Sequence, residues 1–442
     1  MFLFALNSDK LDHSGLLGTP LVLRPTQVQT NGASALFWSS DEFTHFYRDG
    51  DFVCIETKRS RIDKHPICHF QWNLVSGQVR ASRAWSGEFS VYVAKTPTTV
   101  LASHLRILTW ACHGLPAGVK RLQPGHSLNL NAQNKEAQLH ESRDVCFRCH
   151  FPMDYDQTVR EVRRLVCESV AETRGPCALL LSGGIDSASI AAAAQIAGRC
   201  LPAFVFSLKR PVREQPEPEN DLQFARKVSR YLNLPLQEIL LDSRTLVRNV
   251  PLAVGLAETC RGTIVDDCAA LIEVASQIAR AGFKTVWMGE AADDLFGSFK
   301  FALRYYRGAQ LETYYRHELD VSLPDELAIL QRIFEIWGIS LVHPFWTAGL
   351  KKIGYNLPLR YRVDSGRLMK MVLRDAFSDH LPPDVVRRPK GVTRDTTQIR
   401  LVLERHFGRS RERYRAIFDR IFGEALQWPK RRRISLLQNW QQ

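Results

Sequence analysis

Few sequence features constrain a fold as tightly as an unbroken apolar strand that runs into a glycine-rich turn bearing one acid, then into a helix of small residues. This chain has one. Cys177-Ala178-Leu179-Leu180-Leu181 leads into Ser182-Gly183-Gly184-Ile185-Asp186-Ser187, and a helix is expected from Ser187 to Ala197. Two glycines let the backbone approach a ligand closely, and the N–H groups at a helix N-terminus form an anion site. The Ser182 and Ser187 hydroxyls add donors. Asp186 would repel a phosphate unless a cation lay between them, which points to Mg²⁺. The spacing lacks the Gly-Lys-Ser/Thr of the common phosphate loop, and no Gly-x-Gly-x-x-Gly follows a strand. An ordinary turn capped by Ser187 would not require strand, loop, acid and helix in this order.

The surrounding pattern alternates helices with compact apolar strands, which predicts a parallel sheet with helices packed on it. Tyr155 to Glu172 carries Val159, Val162, Leu165, Val166 and Val170 at helical spacing. A strand is expected over Ala203–Leu208, a helix over Asp221–Leu232, and a strand Thr285-Val286-Trp287-Met288 that ends in the loop Gly289 to Gly297. Before residue 150 the chain reads instead as short β segments broken by turns, among them Asp51–Glu56, Phe89–Ala94 and His126–Leu130. A chain of 442 residues is long for one core. Two domains are expected, a β-rich one over 1–150 and an α/β one over 151–442.

Charge narrows the partners. The 59 Lys and Arg against 46 Asp and Glu leave +13, which would suit a nucleic acid, an acidic peptide or a phosphorylated substrate. No nucleic-acid-binding motif accompanies it, so a solvated basic surface is the expectation, including the run Lys430-Arg431-Arg432-Arg433. No apolar run approaches the ~20 residues that span a bilayer, and the start lacks a signal-peptide pattern. A cytoplasmic protein with no membrane or nucleic-acid partner is expected, and an oligomer is compatible with the sequence. Ten scattered cysteines suit reduced thiols. Cys146-Phe147-Arg148-Cys149-His150 has the form of a haem-attachment motif, and with two further ligands it would make a zinc site. Neither role is assigned to it.

Ser182 to Ser187 resembles the pyrophosphate loop of the adenylating family that includes asparagine synthetase, β-lactam synthetase and the lasso-peptide cyclases. Gly289-Glu290-Ala291-Ala292-Asp293-Asp294-Leu295-Phe296-Gly297 is similar to that family's second signature. His343 to Trp346, Lys370 to Arg374 and Arg388 to Val392 look most like the C-terminal half of β-lactam and carbapenam synthetases. Gly87 to Tyr92, Val100 to Leu105 and Leu122 to His126 resemble the glutaminase domain of asparagine synthetase.

The resemblance implies an N-terminal Ntn-type sandwich and a C-terminal parallel-sheet adenylation domain that uses ATP and Mg²⁺. It places nucleotide binding on Ser182, Gly183, Gly184, Asp186, Ser187, Ser207, Gly289 and Lys370, and the metal between Asp186 and Asp293. Lys390 would stabilise negative charge in the reaction, as a cation beside a pentavalent phosphate does. Glu290 would take the proton of the attacking amine, with Glu326 or Glu335 as partner. Phe2 stands where the glutaminase cysteine would be, so glutamine is not expected as nitrogen source. These features imply a small amino-carboxylate that is adenylated and closed into a lactam. Macrolactam closure in a peptide and amidation by free ammonia remain open. Glu290 itself stands where β-lactam synthetases have tyrosine.

Overall fold

The computed structural model describes residues 2–6, 26–30, 33–37, 44–49, 52–57, 68–73, 76, 78–83, 90–95, 99–102, 105, 108, 119–131, 137–141, 153–173, 175–212, 220–297, 306, 308–363, 368–389 and 391–422. The chain divides into two compact units. One comprises residues 1–145 with the segments 324–328 and 415–442, and the other residues 146–323 and 329–414.

The first unit is built from two antiparallel sheets of six strands each. One contains β1 (Phe2–Leu6), β2 (Thr26–Thr30), β3 (Ala33–Phe37), β8 (Tyr92–Lys95), β9 (Thr99–Ala102) and β10 (Lys120–Arg121), in the order β10-β8-β9-β1-β3-β2. The other contains β4 (Thr44–Asp49), β5 (Phe52–Thr57), β6 (Cys68–Asn73), β7 (Gln78–Arg83), β11 (His126–Asn131) and β12 (Ala137–Glu141), in the order β12-β11-β7-β6-β5-β4. Along β7 the side chains alternate, with Val79, Ala81 and Arg83 buried, as a strand with one covered face requires. In the expected segment Phe89–Ala94, Ser90 and Val91 are not strand and the strand begins at Tyr92, while Phe89 lies outside the described residues.

The second unit is a five-stranded parallel sheet flanked by helices. It comprises β13 (Ala178–Leu180), β14 (Ala203–Leu208), β15 (Leu236–Leu241), β16 (Thr285–Trp287) and β17 (Ser340–Val342) in the order β15-β14-β13-β16-β17. All three residues of β13 are buried, which explains their continuous apolar character. From β13 the chain builds outward through β14 and β15, then returns to β13's other side to lay down β16 and β17. The carboxyl ends of β13 and β16 therefore flank a topological switch point, where open parallel sheets bind ligands.

The helices follow from their residues. Helix α1 (Tyr155–Glu172) buries Thr158, Val162, Val166 and Val170 at i, i+4 spacing. A capping box starts it, with Gln157 N–H donating to Asp154 Oδ1 at 2.7 Å and the Gln157 side chain accepting from Asp154 N–H at 3.1 Å. Helix α2 (Ile185–Ile196) is small-residued because it is nearly all buried. Helix α3 (Asp221–Tyr231) is capped by Asn220, whose side chain accepts from Gln223 N–H at 3.3 Å. Helices α4 (Ser243–Ala257) and α5 (Gly262–Arg280) complete the stretch that leads back to β16. Among the described residues, no helix is long and apolar enough to cross a membrane.

Candidate active site

Two loops leave the sheet at the switch point. The first follows β13. Gly183 has a left-handed φ of +70°, and a Cβ there would lie 2.4 Å from Ala225 N and from Phe224 C in α3, so only glycine fits. Ser182 N–H donates to Ser187 Oγ at 3.1 Å, the two hydroxyls lie 3.2 Å apart, and Gly184 N–H donates to Ser182 Oγ at 3.3 Å. Gly184 begins α2 and offers no side-chain cap. The first turn of a buried helix thus faces a loop knitted by two serines, which is an anion-binding arrangement.

The second loop follows β16. Ala291 is left-handed at φ 74° and turns the chain into the short helix α6 (Ala292–Phe296), which carries Asp293 and Asp294 in its first turn. A non-glycine residue in this conformation costs about 1–3 kcal/mol, and such strain collects at functional sites. Gly289 is where the loops touch. A Cβ on it would come within 3.0 Å of Asp186 Cβ and 3.1 Å of Ser187 N. Glu290, beside it, is half-buried.

Asp186 and Asp293 are brought together around a third element. Lys370 immediately precedes the helix Met371–Phe377, is 1% exposed, and pairs through Nζ with one oxygen of each carboxylate. Its backbone is also left-handed, at φ 64°. Arg374, one turn on, donates from Nε to Met369 O at 2.6 Å and from Nη2 to Arg388 O at 2.9 Å. Arg388 in turn reaches the first loop. It donates to Asp221 Oδ1 at 2.7 Å and Ser182 O at 3.3 Å, and stacks over Phe224 with Cζ 4.2 Å from the ring centroid. Thr396 Oγ donates to the other Asp221 oxygen at 2.7 Å.

Below the second loop, His343, Pro344, Phe345 and Trp346 are all buried. The rings of Phe296 and Phe345 meet edge to face at 6.0 Å. Arg362 is fully enclosed and donates to the carbonyls of Leu295, Gly354 and Leu357; burial lowers its pKa to about 10. Its guanidinium is held as a strut, since each lost bond would leave a buried carbonyl unsatisfied.

Ser182, Gly183, Gly184, Asp186, Ser187, Gly289, Asp293 and Lys370 thus fall at one place in the second unit. Ser207 lies farther along β14, beyond the last residue paired with β13, and is half-buried. Glu326 is exposed and lies in the segment 324–328 that groups with the first unit. Glu335 ends its helix half-buried. Lys390, the Cys146–His150 motif and the run Lys430–Arg433 lie outside the described residues.

Sequence reasoning did not single out Glu318. This carboxyl lies in a π-helical turn (Glu318–Ser322) and is pushed up by burial, although Tyr314 and Ser322 hydrogen-bond to it. Burial also raises the Tyr314 hydroxyl, and the nearby Glu318 and Asp294 charges add to that rise. Tyr314 stacks on Tyr306 at 5.3 Å. A π turn inserted before a helix often marks a functional site, and nothing in residue spacing announces one.

The fold and the paired loops define an α/β architecture in which two carboxylates converge beside a helix N-terminus. The chain matches the Asparagine synthase family over residues 161–329 and 307–432, more than half of its length, and belongs to that family. It is 24% identical over 232 residues to asparagine synthetase [glutamine-hydrolyzing] 1 of Lotus japonicus, covering 49% of this chain and 38% of that protein. It is 25% identical over 284 residues to the Asparagus officinalis asparagine synthetase, covering 57% and 46%. It is 27% identical over 239 residues to carboxyethyl-arginine beta-lactam-synthase of Streptomyces clavuligerus, covering 53% and 44%. The matched stretches thus span less than half the length of these relatives. Among solved structures, NMN synthetase from Francisella tularensis shows a weak likeness, with 14% identity, a TM-score of 0.29, and coverage of 64% of this chain and 92% of that one.

Proposed function

We propose that the protein is an ATP-dependent amide-forming ligase that activates a substrate carboxylate as its adenylate. The observation that carries this reading is the meeting of Asp186 and Asp293 at the switch point, beside the anion-binding turn of α2. A carboxylate oxygen attacks the α-phosphorus of ATP, the bond to the bridging oxygen breaks, and pyrophosphate leaves. The Ser182–Ser187 loop binds the departing pyrophosphate through N–H and hydroxyl donors. An amine then attacks the acyl carbon and expels AMP, giving the amide.

Asp186 and Asp293 suit Mg²⁺. Their carboxylates already converge on a single cation, the Lys370 ammonium. Among the described residues no third His, Cys, Asp or Glu joins them, which fits an ion that takes one or two carboxylates and completes its shell with phosphate and water. When bound, Mg²⁺ would neutralise charge on the phosphates. Proton removal from the amine falls to Glu290. We assign the supporting role to Glu318 rather than the exposed Glu326, because burial already favours its proton-holding form.

The amine is taken to belong to the same small amino-carboxylate, closing a lactam in natural-product biosynthesis. Similarity to a β-lactam synthase supports this. Similarity to several asparagine synthetases favours a second reading, amidation of the carboxylate by ammonia.

Incubation with ATP and a panel of amino-carboxylates labelled with ¹⁸O in the carboxylate tests the proposal. Pyrophosphate release with ¹⁸O appearing in AMP is expected, and Asp186→Asn and Asp293→Asn should abolish both. Release of ADP, or AMP free of label, would refute adenylation. Product mass separates the two amines, because ring closure adds no atoms from ammonia.

A further inference from the structure

The ammonium of Lys370 sits at the point on which the Asp186 and Asp293 carboxylates converge. Its side chain is 1% exposed, whereas those of the aspartates are 17% and 29% exposed, so the cation lies inside and the carboxylates open outward. The left-handed backbone at Lys370 is one that a lysine holds only where its surroundings impose it. The Arg374 bond to Met369 O secures the peptide just before it. A lysine placed only to meet phosphate would need neither the two carboxylates nor the strained backbone.

We propose that Lys370 is an interlock: its ammonium keeps the aspartate pair closed to a free divalent cation and yields it only when phosphate oxygens accept that ammonium. The inference rests on reading Asp186 and Asp293 as the metal ligands. A cation arriving alone would strand a buried ammonium away from both its counter-charges, a strongly unfavourable state. A nucleotide that arrives with the cation supplies anionic oxygens in their place, so the charge of Lys370 stays compensated as it swings from carboxylate to phosphate. Metal and nucleotide then each raise the other's affinity by the same factor, because coupling between sites is reciprocal. The device would also keep metal-loaded, nucleotide-free protein scarce.

Mn²⁺ binding to the full chain tests this by electron paramagnetic resonance, with and without α,β-methylene-ATP and with correction for the free metal–nucleotide complex. Wild type is expected to bind Mn²⁺ weakly alone and about tenfold or more tightly with the nucleotide, within the usual range of coupling between sites. Lys370→Met should bind Mn²⁺ without nucleotide about tenfold more tightly than wild type and lose most of the enhancement. Lys370→Arg, which keeps the charge, should retain the coupling. Equal Mn²⁺ affinity in wild type with and without nucleotide would overturn the interlock whether or not the methionine variant folds. So would a folded Lys370→Met that binds Mn²⁺ no better than wild type. If Asp186→Asn and Asp293→Asn left Mn²⁺ binding intact, the ligand assignment itself would fall. Failure of the ligase reading would show separately, as absent ¹⁸O transfer, and would leave these binding comparisons standing.

Discussion

Arg388 ties the C-terminal block to the first loop, and removing it should reveal a coupling measurable by a double-mutant cycle. The side chains of Arg388 and Asp221 are 4% and 9% exposed, and their closest N–O distance is 2.7 Å. Breaking one side of a buried ion pair costs about 3–5 kcal/mol, because the remaining charge is left uncompensated. Thr396 still donates to Asp221, so Arg388→Met should fall at the lower end, about 3 kcal/mol, with loss of the Phe224 stacking contributing part of it. Asp221→Asn alone keeps one acceptor oxygen but removes the charge; because Arg388 still donates to Ser182 O and stacks on Phe224, about 2 kcal/mol is expected. The double variant should lose about 3 kcal/mol rather than the sum of 5, a coupling of about 2 kcal/mol. Urea unfolding of the four proteins at constant pH measures it. Additivity to within about 0.5 kcal/mol would refute the pair as an energetic unit. Arg388→Met should also raise the KM for ATP, because Ser182 O loses its guanidinium donor.

Three further outcomes follow. Gly289→Ala places a methyl 3.0 Å from Asp186 Cβ; the resulting displacement of the two loops should slow pyrophosphate release about tenfold or more with little change in Tm, and unchanged turnover would contradict the loop contact. Burial lowers the pKa of Lys351 from 10.5 to about 7, against the opposing pull of Asp320, with Nζ 4.4 Å from the Trp346 ring centroid. Between those values the unfolded chain holds a proton that the native state does not, so stability should rise with pH from about 7 to 10.5. Lys351→Met should flatten that rise and stabilise at pH 6.5 by at most about 4–5 kcal/mol, read by urea unfolding at several pH values. Glu318→Gln should slow amide formation about 100-fold or more while carboxylate-dependent ATP–pyrophosphate exchange, which reports adenylation alone, persists; equal loss of both would move Glu318 out of the amine half-reaction.

Much of the site was legible in the sequence wherever local pattern and chemistry agree. The helix Tyr155–Glu172 was readable from its valines, and β14 over Ala203–Leu208 from its apolar run. The β13 loop announced itself because glycine, acid and helix start must be contiguous to make an anion site. What escaped was set by tertiary contact. β15 carries exposed Gln237 and Glu238, the latter paired with Arg226 at 2.6 Å, and lacks the apolar look of a buried strand. β17 is three residues long. Lys370 could be suspected of meeting phosphate, but its embrace of two aspartates from distant loops has no sequence periodicity. Arg362 and Arg388 look like solvent charges until their carbonyl and carboxylate partners are seen. The expected division at residue 150 compares with a boundary at 145 and two later segments that group with the first unit. No local pattern could assign those returns.

The sheet order also says where this protein can change without losing its chemistry. β14, β15 and the helices around them form one excursion that departs from β13 and comes back beside it as β16. The spacing of Asp186 and Asp293 is set by two neighbouring strands, not by the length of chain between them. Exposed turns of that excursion, such as the one around Asn233 joining α3 to β15, are natural places for insertions, tags or substrate-sensing additions. Gly183 marks the inner limit of this freedom: where the loop meets the α3 backbone, even one methyl has no room.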